Sequence, residues 1–584
     1  MREGQTNRKI KIGNCILLIF SFLGLIVCIA VLFPQVRQMI MNLFEQIYHR
    51  KASSREIWLK VLLSYAMGGI CFILCFDYCT LTDPGRKIIQ KVKQELSDCL
   101  SEIDFRSFIK PILLMFGVYL LGIFTIIRAN YSYLDDLGRS ISGYRKWHNE
   151  SRYVSEFSSI LVHGDTHLTD ISPLPQLSAI FILSLSSVLL VYIIGNKKMT
   201  VVRLLASVPL GLSPYFLECL SFNFDAPYMA LSILASIVPF LFIARRKAFL
   251  FSTIVSLLIM CMTYQAASGI YLLVVVILCF QDWNSRKKSN KEILSFLGIA
   301  AFAFCVAMLL FKFFFMKSFD EHESGYVSNK MHSFPQIIIG VLNNIKNYTA
   351  TLNHDLGIIW KICIIFVLLF FILQSMYRSA QKKINSFFVS TFIIGFSFIF
   401  SYGIYSLLKI PSFRPRALFG FGFFLACFCI YVAKNNNKPA VVSVIALNWC
   451  FFIFAFSYGN ALSDQKRFVE FRIGLLLHDL SDLYPNMNDD DLSIQIKNSI
   501  DYVPSIKNIA KHYPIVESLV PKLLGEDFWD YFYLIHFNII QYKMINNPVI
   551  SSFDFCSLNL PVVLDSYYHT IRSDGSRVLI ILKH

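Results

Sequence analysis

Long apolar runs constrain this chain more than any other feature of its sequence. Runs of roughly 18 or more residues, enough to cross about 30 Å of hydrocarbon, recur from the N-terminus to residue 457. Only 16% of the residues are charged, against about a quarter in soluble proteins, and 55% are hydrophobic. We therefore predict a polytopic α-helical membrane protein with about 13 transmembrane helices. Their predicted ranges are 15–33, 57–78, 108–128, 176–194, 204–217, 227–243, 249–264, 266–281, 294–315, 357–376, 386–408, 417–433 and 439–457.

The net charge of +16 follows from membrane topology rather than from a nucleic-acid partner. Most basic clusters lie in short loops between apolar runs, where Lys and Arg mark the cytoplasmic side. This pattern places the N-terminus inside and the C-terminus outside. Residues 34–56 break the rule, because a loop expected outside contains Arg37, Arg50, Lys51 and Arg55. The run 15–33 lacks a small-residue cleavage site, so we interpret it as a retained helix.

The sequence divides into three predicted regions. Residues 1–107 contain the first two predicted helices and a cytoplasmic loop, residues 108–457 form the membrane core, and residues 458–584 form a C-terminal α/β domain outside the membrane. In that domain, 567–571 and 578–583 are predicted to pair as a hairpin around Asp574-Gly575, a strong turn signal. The external side also contains the polar loops 129–175 and 316–356 and the turn 409–416, so most unusual polar groups lie on one face.

Two adjacent acids open the first long external loop. Asp135 and Asp136 follow a predicted membrane helix by a few residues, and Gly138, Arg139 and Tyr144 come soon after. A carboxylate at the membrane surface is a suitable general base for a sugar hydroxyl, and a second one can orient it. Solvated loop acids or a helix N-cap would give the same pattern.

Four arginines lie close to external helix ends: Arg139, Arg152, Arg414 and Arg416. Guanidinium groups pair well with phosphate oxygens, so these residues are candidates for binding a phosphate or diphosphate. The last two flank Pro415, which stiffens the turn. Snorkelling to lipid headgroups is the alternative interpretation.

Two further acids lie in an apolar context. Glu218 and Asp225 occur in S-P-Y-F-L-E-C-L-S-F-N-F-D-A-P-Y-M, where Pro214 and Pro227 interrupt the helices. Acids at membrane depth are costly and usually functional, and broken helices can line a cavity. A structural pair with an arginine on another helix would explain them equally well.

Metal and cofactor signals are weak. His163, Asp165 and His167 in H-G-D-T-H have a spacing that could ligate a metal on a helix, but Gly164 weakens a helix and no third histidine is near. The sequence contains no glycine-rich nucleotide loop and no pair of metal-binding cysteines. We predict no metal site and no cofactor, and leave dependence on a divalent metal open.

Five separated motifs together resemble the serotype-converting O-antigen glucosyltransferases of enteric bacteria and their phages. They are Y-L-D-D-L-G-R-S-I-S-G-Y, D-I-S-P-L-P-Q-L, S-P-Y-F-L-E-C-L-S-F-N-F-D-A-P-Y-M, T-Y-Q-A-A-S-G-I-Y and the external R-P-R. The resemblance runs from about residue 108 to the end, so the pair of helices in 1–107 looks like an addition to the family core. It also implies a C-type glycosyltransferase fold. Within these motifs we assign substrate binding to Tyr144, Asp170, Glu218, Asp225, Tyr264 and Gln265.

The resemblance also implies a reaction. Glucose would pass from undecaprenyl phosphate glucose to a sugar of a lipid-linked O-antigen repeat, on the periplasmic face of the bacterial inner membrane. Either Asp135 or Asp136 would be the general base of an inverting transfer. Arg139, Arg152, Arg414 or Arg416 would neutralise the departing lipid phosphate. Membrane lipids surround the protein, and no nucleic acid is expected as a partner.

Two rival functions use the same features. A flippase or transporter of a lipid-linked saccharide would need the helices, arginines and polar cavity, but no general base. A membrane O-acyltransferase would favour an essential histidine–acid pair, for which His163 and Asp165 are candidates.

Overall fold

The computed structural model describes residues 83–317, 328–331, 336–435, 437–485, 492–523, 532–537 and 554–583. The predicted helices 15–33 and 57–78 lie outside these ranges. The longer helices are Asp83–Ser101, Arg106–Ala129, Tyr153–His163, Leu174–Ile194, Pro214–Ser221, Ala226–Ile237, Arg246–Cys261, Ser268–Asn284, Asn290–Leu310, Ile337–Asp355, Ile358–Tyr377, Lys383–Ser401, Gly420–Ala433 and Lys438–Leu483. The shorter ones are Asp136–Ser142, Val201–Leu205, Pro209–Leu212, Pro504–Ala510, Val516–Leu519 and Phe532–Ile535.

The protein is a membrane protein, but the predicted number of crossings is not confirmed. In the described ranges, seven helices are long and apolar enough to cross a membrane, or eight if one bent pair forms a single span. The predicted helices 227–243 and 417–433 overlap two shorter apolar helices, Ala226–Phe242 and Gly420–Ala433. At 1.5 Å per residue, the 14 residues of the second one extend only about 21 Å, less than the hydrocarbon thickness.

The predicted helix 204–217 is wrong as a straight helix. The chain bends by 64° between Val201–Leu212 and Pro214–Ser221. Pro209 and Pro214 explain the break, because proline cannot donate the backbone hydrogen bond that a continuous helix needs. The bend places Glu218 and the loop that follows it against the part of the predicted loop 129–175 that contains Asp135 and Asp136, called the acid loop below.

The predicted polar loop 316–356 is also wrong over its second half, where the helix Ile337–Asp355 forms. Its buried residues recur every three or four positions: Gly340, Asn344, Tyr348, Leu352 and Asp355. This spacing puts them on one helix face. The Asn344 amide donates to the carbonyls of Ser406 and Leu408, which ties the helix to the region after Lys383–Ser401.

Helix Lys438–Leu483 crosses Arg106–Ala129 closely at Gly459. A Cβ atom at this position would lie 2.6 Å from the backbone carbonyl carbon of Thr125, far inside van der Waals contact. Helix 438–483 continues well past its predicted end at residue 457, through the predicted domain boundary. The crossing therefore fixes this long helix against the start of the acid loop.

We expect Gly459→Ala to destabilise the protein by about 1–3 kcal/mol, because the added methyl group overpacks the crossing. Gly474 is the matched control on the same helix, since a Cβ atom there meets nothing within 4 Å. Gly474→Ala should stabilise the helix by about 0.5–1 kcal/mol. Thermal unfolding of the detergent-purified variants measures both effects, and a Gly459→Ala protein that melts with the wild type would contradict this packing.

The C-terminal tail contains a four-stranded sheet. Two short strands, β1 (Ser328–Met331) and β2 (Leu408–Ile410), pair elsewhere in the chain. In the tail the order is β3 (Ser493–Lys497), β6 (Arg577–Leu582), β5 (His569–Ser573) and β4 (Val562–Asp565), with β3 and β6 parallel. The predicted hairpin forms as β5 and β6, with bounds shifted by up to two residues and Gly575 at φ +101 in the turn.

Side chains of the long helix hold this sheet. Arg472 donates to the carbonyls of Tyr568 and Lys583 at 2.8 Å, and Asp479 pairs with His569 at 2.9 Å. Nearer the membrane core, Gln465 bonds to the backbone of Asp501 and Val503. The tail is thus attached along the helix rather than at one point.

Candidate active site

The acid loop begins where helix Arg106–Ala129 ends. Asn130 adopts a left-handed conformation (φ 43), and the chain then leads into the short helix Asp136–Ser142. Asp135 occupies the N-cap position of that helix, but its side chain makes no capping bond. Instead its Oδ2 atom accepts from Arg139, at 2.9 Å from Nε and 2.8 Å from Nη2. The N-cap explanation therefore does not account for this carboxylate.

Asp136 is the more buried acid, only 1% exposed. Its Oδ2 atom accepts from the backbone N–H groups of Tyr133 (3.0 Å) and Asn223 (2.8 Å). Its Oδ1 atom has no hydrogen-bond partner among the described residues. Burial, and then the charge of Asp135, raise the pKa of the Asp136 carboxyl well above its usual value. Asp136 thus joins the acid loop to the loop before Ala226.

Arg139 connects the acids of these two loops. Its Nη2 atom lies 3.7 Å from Asp225 as well as 2.8 Å from Asp135, and Nη1 donates to the carbonyl of Arg145 at 2.7 Å. Burial alone would lower the pKa of this guanidinium, but the two carboxylates raise it above its ordinary value. Arg139 is therefore already paired with groups of the protein, which leaves it less able to bind a phosphate.

Trp147 completes this cluster and was not among the predicted site residues. Its indole N–H donates to Asp225, and its ring lies 4.2 Å below the guanidinium carbon of Arg139. A buried tryptophan needs a partner for its N–H. The occurrence of Trp147 in a polar loop rich in acids could therefore have identified it as a site residue. Asn223 was missed as well, because its contact with Asp136 runs through the backbone, which a side-chain pattern does not reveal.

A second acid–arginine pair lies beside the first. Glu218 accepts from the backbone N–H of Arg416 at 2.5 Å, and the Arg416 side chain lies 3.4 Å from its other oxygen. The Arg416 guanidinium also lies 5.2 Å from the ring of Phe222, the neighbour of Asn223. The predicted alternative, an acid–arginine pair between separate segments, is thus present at Glu218 and at Asp225.

Arg152 and Tyr264 extend the site on the Arg416 side. The Arg152 guanidinium lies 4.7 Å from the centre of the Tyr264 ring and 2.7 Å from Glu150. Its Nε atom is buried and has no hydrogen-bond partner in the described part of the chain. The Tyr264 hydroxyl donates to the carbonyl of Arg416 at 3.3 Å, and Gln265 donates to the carbonyl of Glu150 at 3.2 Å.

The remaining predicted residues differ in their placement. The Tyr144 ring lies 5.4 Å from the Arg139 guanidinium, within the cluster. Arg414 is half-buried and close enough to Glu218 to act on its charge. Asp170 lies apart in an exposed turn, where it accepts from the backbone N–H of Ser172 at 2.9 Å. The structure thus gathers all the predicted site residues except Asp170 around two linked acid–arginine pairs.

The H-G-D-T-H motif does not assemble into one cluster. The His163 ring stacks on Phe224 with centroids 5.6 Å apart, while Asp165 accepts from the backbone N–H groups of Thr166 and His167. Burial lowers the pKa of His163 below its usual value. Among the described residues, no three His, Cys, Asp or Glu side chains come together as a metal site.

Comparison with known sequences identifies the group of proteins to which this site belongs. Residues 124–456, more than half of the chain, match the family described as glucosyl transferase GtrII. The chain belongs to the glucosyl transferase GtrII family. The match contains the acid loop and both acid–arginine pairs, and it ends before the tail sheet. Membership makes the protein a glucosyltransferase of O-antigen modification, acting on a sugar donor and a glycan acceptor.

A similar protein comes from Salmonella phage P22. It is described as an uncharacterized 55.3 kDa protein in the gtrB 5′ region and is 25% identical over 432 residues. The alignment covers 70% of this chain and 86% of the phage protein. No solved structure matches the chain. The GtrII membership and this phage relative confirm the resemblance to serotype-converting glucosyltransferases.

Proposed function

We propose that this GtrII protein is an inverting glucosyltransferase that uses undecaprenyl phosphate glucose as donor. The acceptor is a sugar hydroxyl of a lipid-linked O-antigen repeat. The observation that carries the proposal is that two groups of acids and arginines lie beyond the end of helix 106–129. In one group Arg139 pairs with Asp135 and Asp225, and in the other Arg416 pairs with Glu218. Acids supply a general base and arginines supply partners for a phosphate leaving group, the two requirements of this chemistry.

Asp135 is the proposed base. Its side chain is 20% exposed, so a sugar hydroxyl can approach it without movement of the fold. Arg139 holds one carboxylate oxygen in place. In the transfer, Asp135 removes the proton from the acceptor hydroxyl while that oxygen attacks the anomeric carbon of the donor. The bond from the anomeric carbon to the lipid phosphate oxygen breaks, and its electrons leave with the phosphate.

Asp136 is the alternative base and, in our proposal, a positioning residue. Its free Oδ1 atom and raised pKa suit a base. However, both hydrogen bonds to its other oxygen come from backbone groups of two different loops, which is typical of a structural tie.

The donor phosphate is assigned to Arg152, Arg414 and Arg416 rather than to Arg139. Arg152 has a buried Nε without a hydrogen-bond partner among the described residues. Arg414 and Arg416 flank Pro415 in one turn that contacts Glu218. Arg152 packs on the Tyr264 ring, and the Arg416 carbonyl accepts from the Tyr264 hydroxyl, which brings these two segments together. In our proposal the phosphate binds here and the base acts from the opposite face of the transferred sugar, as inversion requires.

The proposed location is the inner membrane, with the active site and the tail (458–584) in the periplasm. Lys and Arg cluster in the loops on the opposite side, which supports this orientation. A lipid phosphate donor suits a site outside the cytoplasm.

Mass spectrometry and linkage analysis of O-antigen, from cells with and without this gene and supplied with the donor machinery, tests the proposal. A gain of one hexose per repeat is expected. An added acetyl group would instead support the O-acyltransferase, and an unchanged polymer, with the protein folded in the membrane, would support the flippase.

A further inference from the structure

A cavity lies next to the acid loop and has no role in the proposal above. Its volume is about 250 Å³. It lies between the end of helix 106–129 and the start of helix 174–194, with residues such as Ile127, Tyr131, Ser172, Gln176 and Asn223 in its wall. Asn223 also donates its backbone N–H to Asp136, so the cavity adjoins the proposed catalytic acids.

The polar groups of this cavity are incompletely satisfied. Gln176 is only 4% exposed; its side-chain nitrogen donates to Asn223 at 2.7 Å, but its carbonyl oxygen has no hydrogen-bond partner in the described part of the chain. The buried hydroxyl of Ser172 likewise has none there. Leaving a buried polar atom unpaired costs about 1–3 kcal/mol. A bound molecule with hydroxyl groups would pair with both.

The wall also indicates the charge of the occupant. None of the side chains that line the cavity among the described residues is charged. Amides, hydroxyls, one tyrosine ring and the aliphatic Ile126, Ile127 and Leu462 make up most of the wall. A phosphate would find no cation among these lining side chains. The size is below the roughly 300–1,000 Å³ of pockets for drug-sized ligands.

We infer that this cavity binds one neutral sugar unit, with the carbonyl oxygen of Gln176 accepting a hydrogen bond from a sugar hydroxyl. The inference deepens the proposed function and depends on it for the identity of the sugar. The unit is a sugar of the acceptor repeat or the hexose of the donor. The uncharged wall, next to the loop that contains Asp135 and Asp136, favours the acceptor, whose reacting hydroxyl must reach the base.

Gln176→Leu tests the inference, because leucine keeps much of the volume and removes the acceptor oxygen. Gln281→Leu is the matched control, since Gln281 is a similarly buried glutamine in helix 268–284 and does not line the cavity. Initial rates are measured with undecaprenyl phosphate glucose and purified lipid-linked repeat. We expect about a tenfold rise in one KM with Gln176→Leu, the effect of one buried hydrogen bond, and no rise with the control.

The substrate whose KM rises distinguishes the sources: the lipid-linked repeat if the cavity binds the acceptor sugar, the donor if it binds the transferred hexose. Unchanged values for both substrates would overturn the inference. Ile127→Trp provides a second variant, which should fill the cavity and raise the same KM without removing a polar group.

A binding measurement separates this inference from the proposed function. Saturation-transfer NMR with the free repeat oligosaccharide and with methyl glucoside reports sugar contact without any transfer. If the wild type transfers no hexose but binds a sugar that Gln176→Leu fails to bind, the cavity assignment stands alone. If the wild type transfers hexose and both variants bind both sugars normally, the cavity assignment fails and the proposed function remains.

Discussion

Asp135→Asn is expected to lower kcat for hexose transfer by about 10²- to 10⁴-fold, the usual contribution of a general base. Asparagine has nearly the same shape and can still accept from Arg139, so the fold should survive. It cannot take a proton from the acceptor hydroxyl. Both KM values should change little, because the lost interaction belongs to the transition state. Initial rates in proteoliposomes, with unfolding temperatures measured in parallel, provide the test.

Asp136→Asn is the comparison that shows which of the two adjacent acids is the base. If Asp135 is the base, Asp136→Asn should retain much more activity, since its amide oxygen can still accept from the Tyr133 and Asn223 backbones. A large loss of kcat in Asp136→Asn, with Asp135→Asn active, would transfer the role to Asp136. Full activity in both variants would eliminate the acid loop as the source of the base.

Arg139→Met is expected to destabilise the protein by about 3–5 kcal/mol, because it removes the partner of a buried charge. Asp225 is only 5% exposed, and Asp135 would also lose its cation. Methionine keeps much of the apolar stem, so the effect comes mainly from the charge. The free energy of unfolding in detergent, or the unfolding temperature where unfolding is irreversible, measures it.

Arg145→Met is the control for this effect. Arg145 lies in the same loop and pairs with Glu156 at 3.6 Å, but both side chains are about a fifth exposed. Such a pair contributes about 0–1 kcal/mol. Adding Asp225→Asn to Arg139→Met should recover part of the loss, since it removes the uncompensated charge. Equal stability of the Arg139 and Arg145 variants would show that Arg139 does not hold the site together.

Hydropathy predicted all seven helices of the described ranges that are long and apolar enough to cross a membrane, because crossing lipid requires long apolar runs. Hydropathy failed to predict a helix whose position depends on packing against other helices. The helix Ile337–Asp355 is polar on its exposed face at its C-terminal end, so its mean hydropathy resembles that of a loop. The spacing of Gly340, Asn344, Tyr348 and Leu352 was the signal that would have revealed it.

The residue types of the candidate site were predictable from the sequence, but the contacts between these residues were not. The acids and arginines stand out because charges are rare in this chain. The bend in helix 201–221 determines where Glu218 and the following loop lie. It therefore determines that Arg139 pairs with Asp225, 86 positions away, and that Arg416 pairs with Glu218. Arg139 consequently changes from a predicted phosphate ligand to a residue held by two carboxylates.

The long helix Lys438–Leu483 determines how the tail sheet is rotated about the helix axis relative to the membrane core. Its 46 residues extend about 69 Å at 1.5 Å per residue. Each residue turns the helix by about 100°, so inserting one residue between Gly459 and Arg472 would rotate the tail sheet by about that angle around the helix axis. Only insertions close to whole turns would return the sheet to its face, which restricts how the length of this region can vary while the two parts stay aligned.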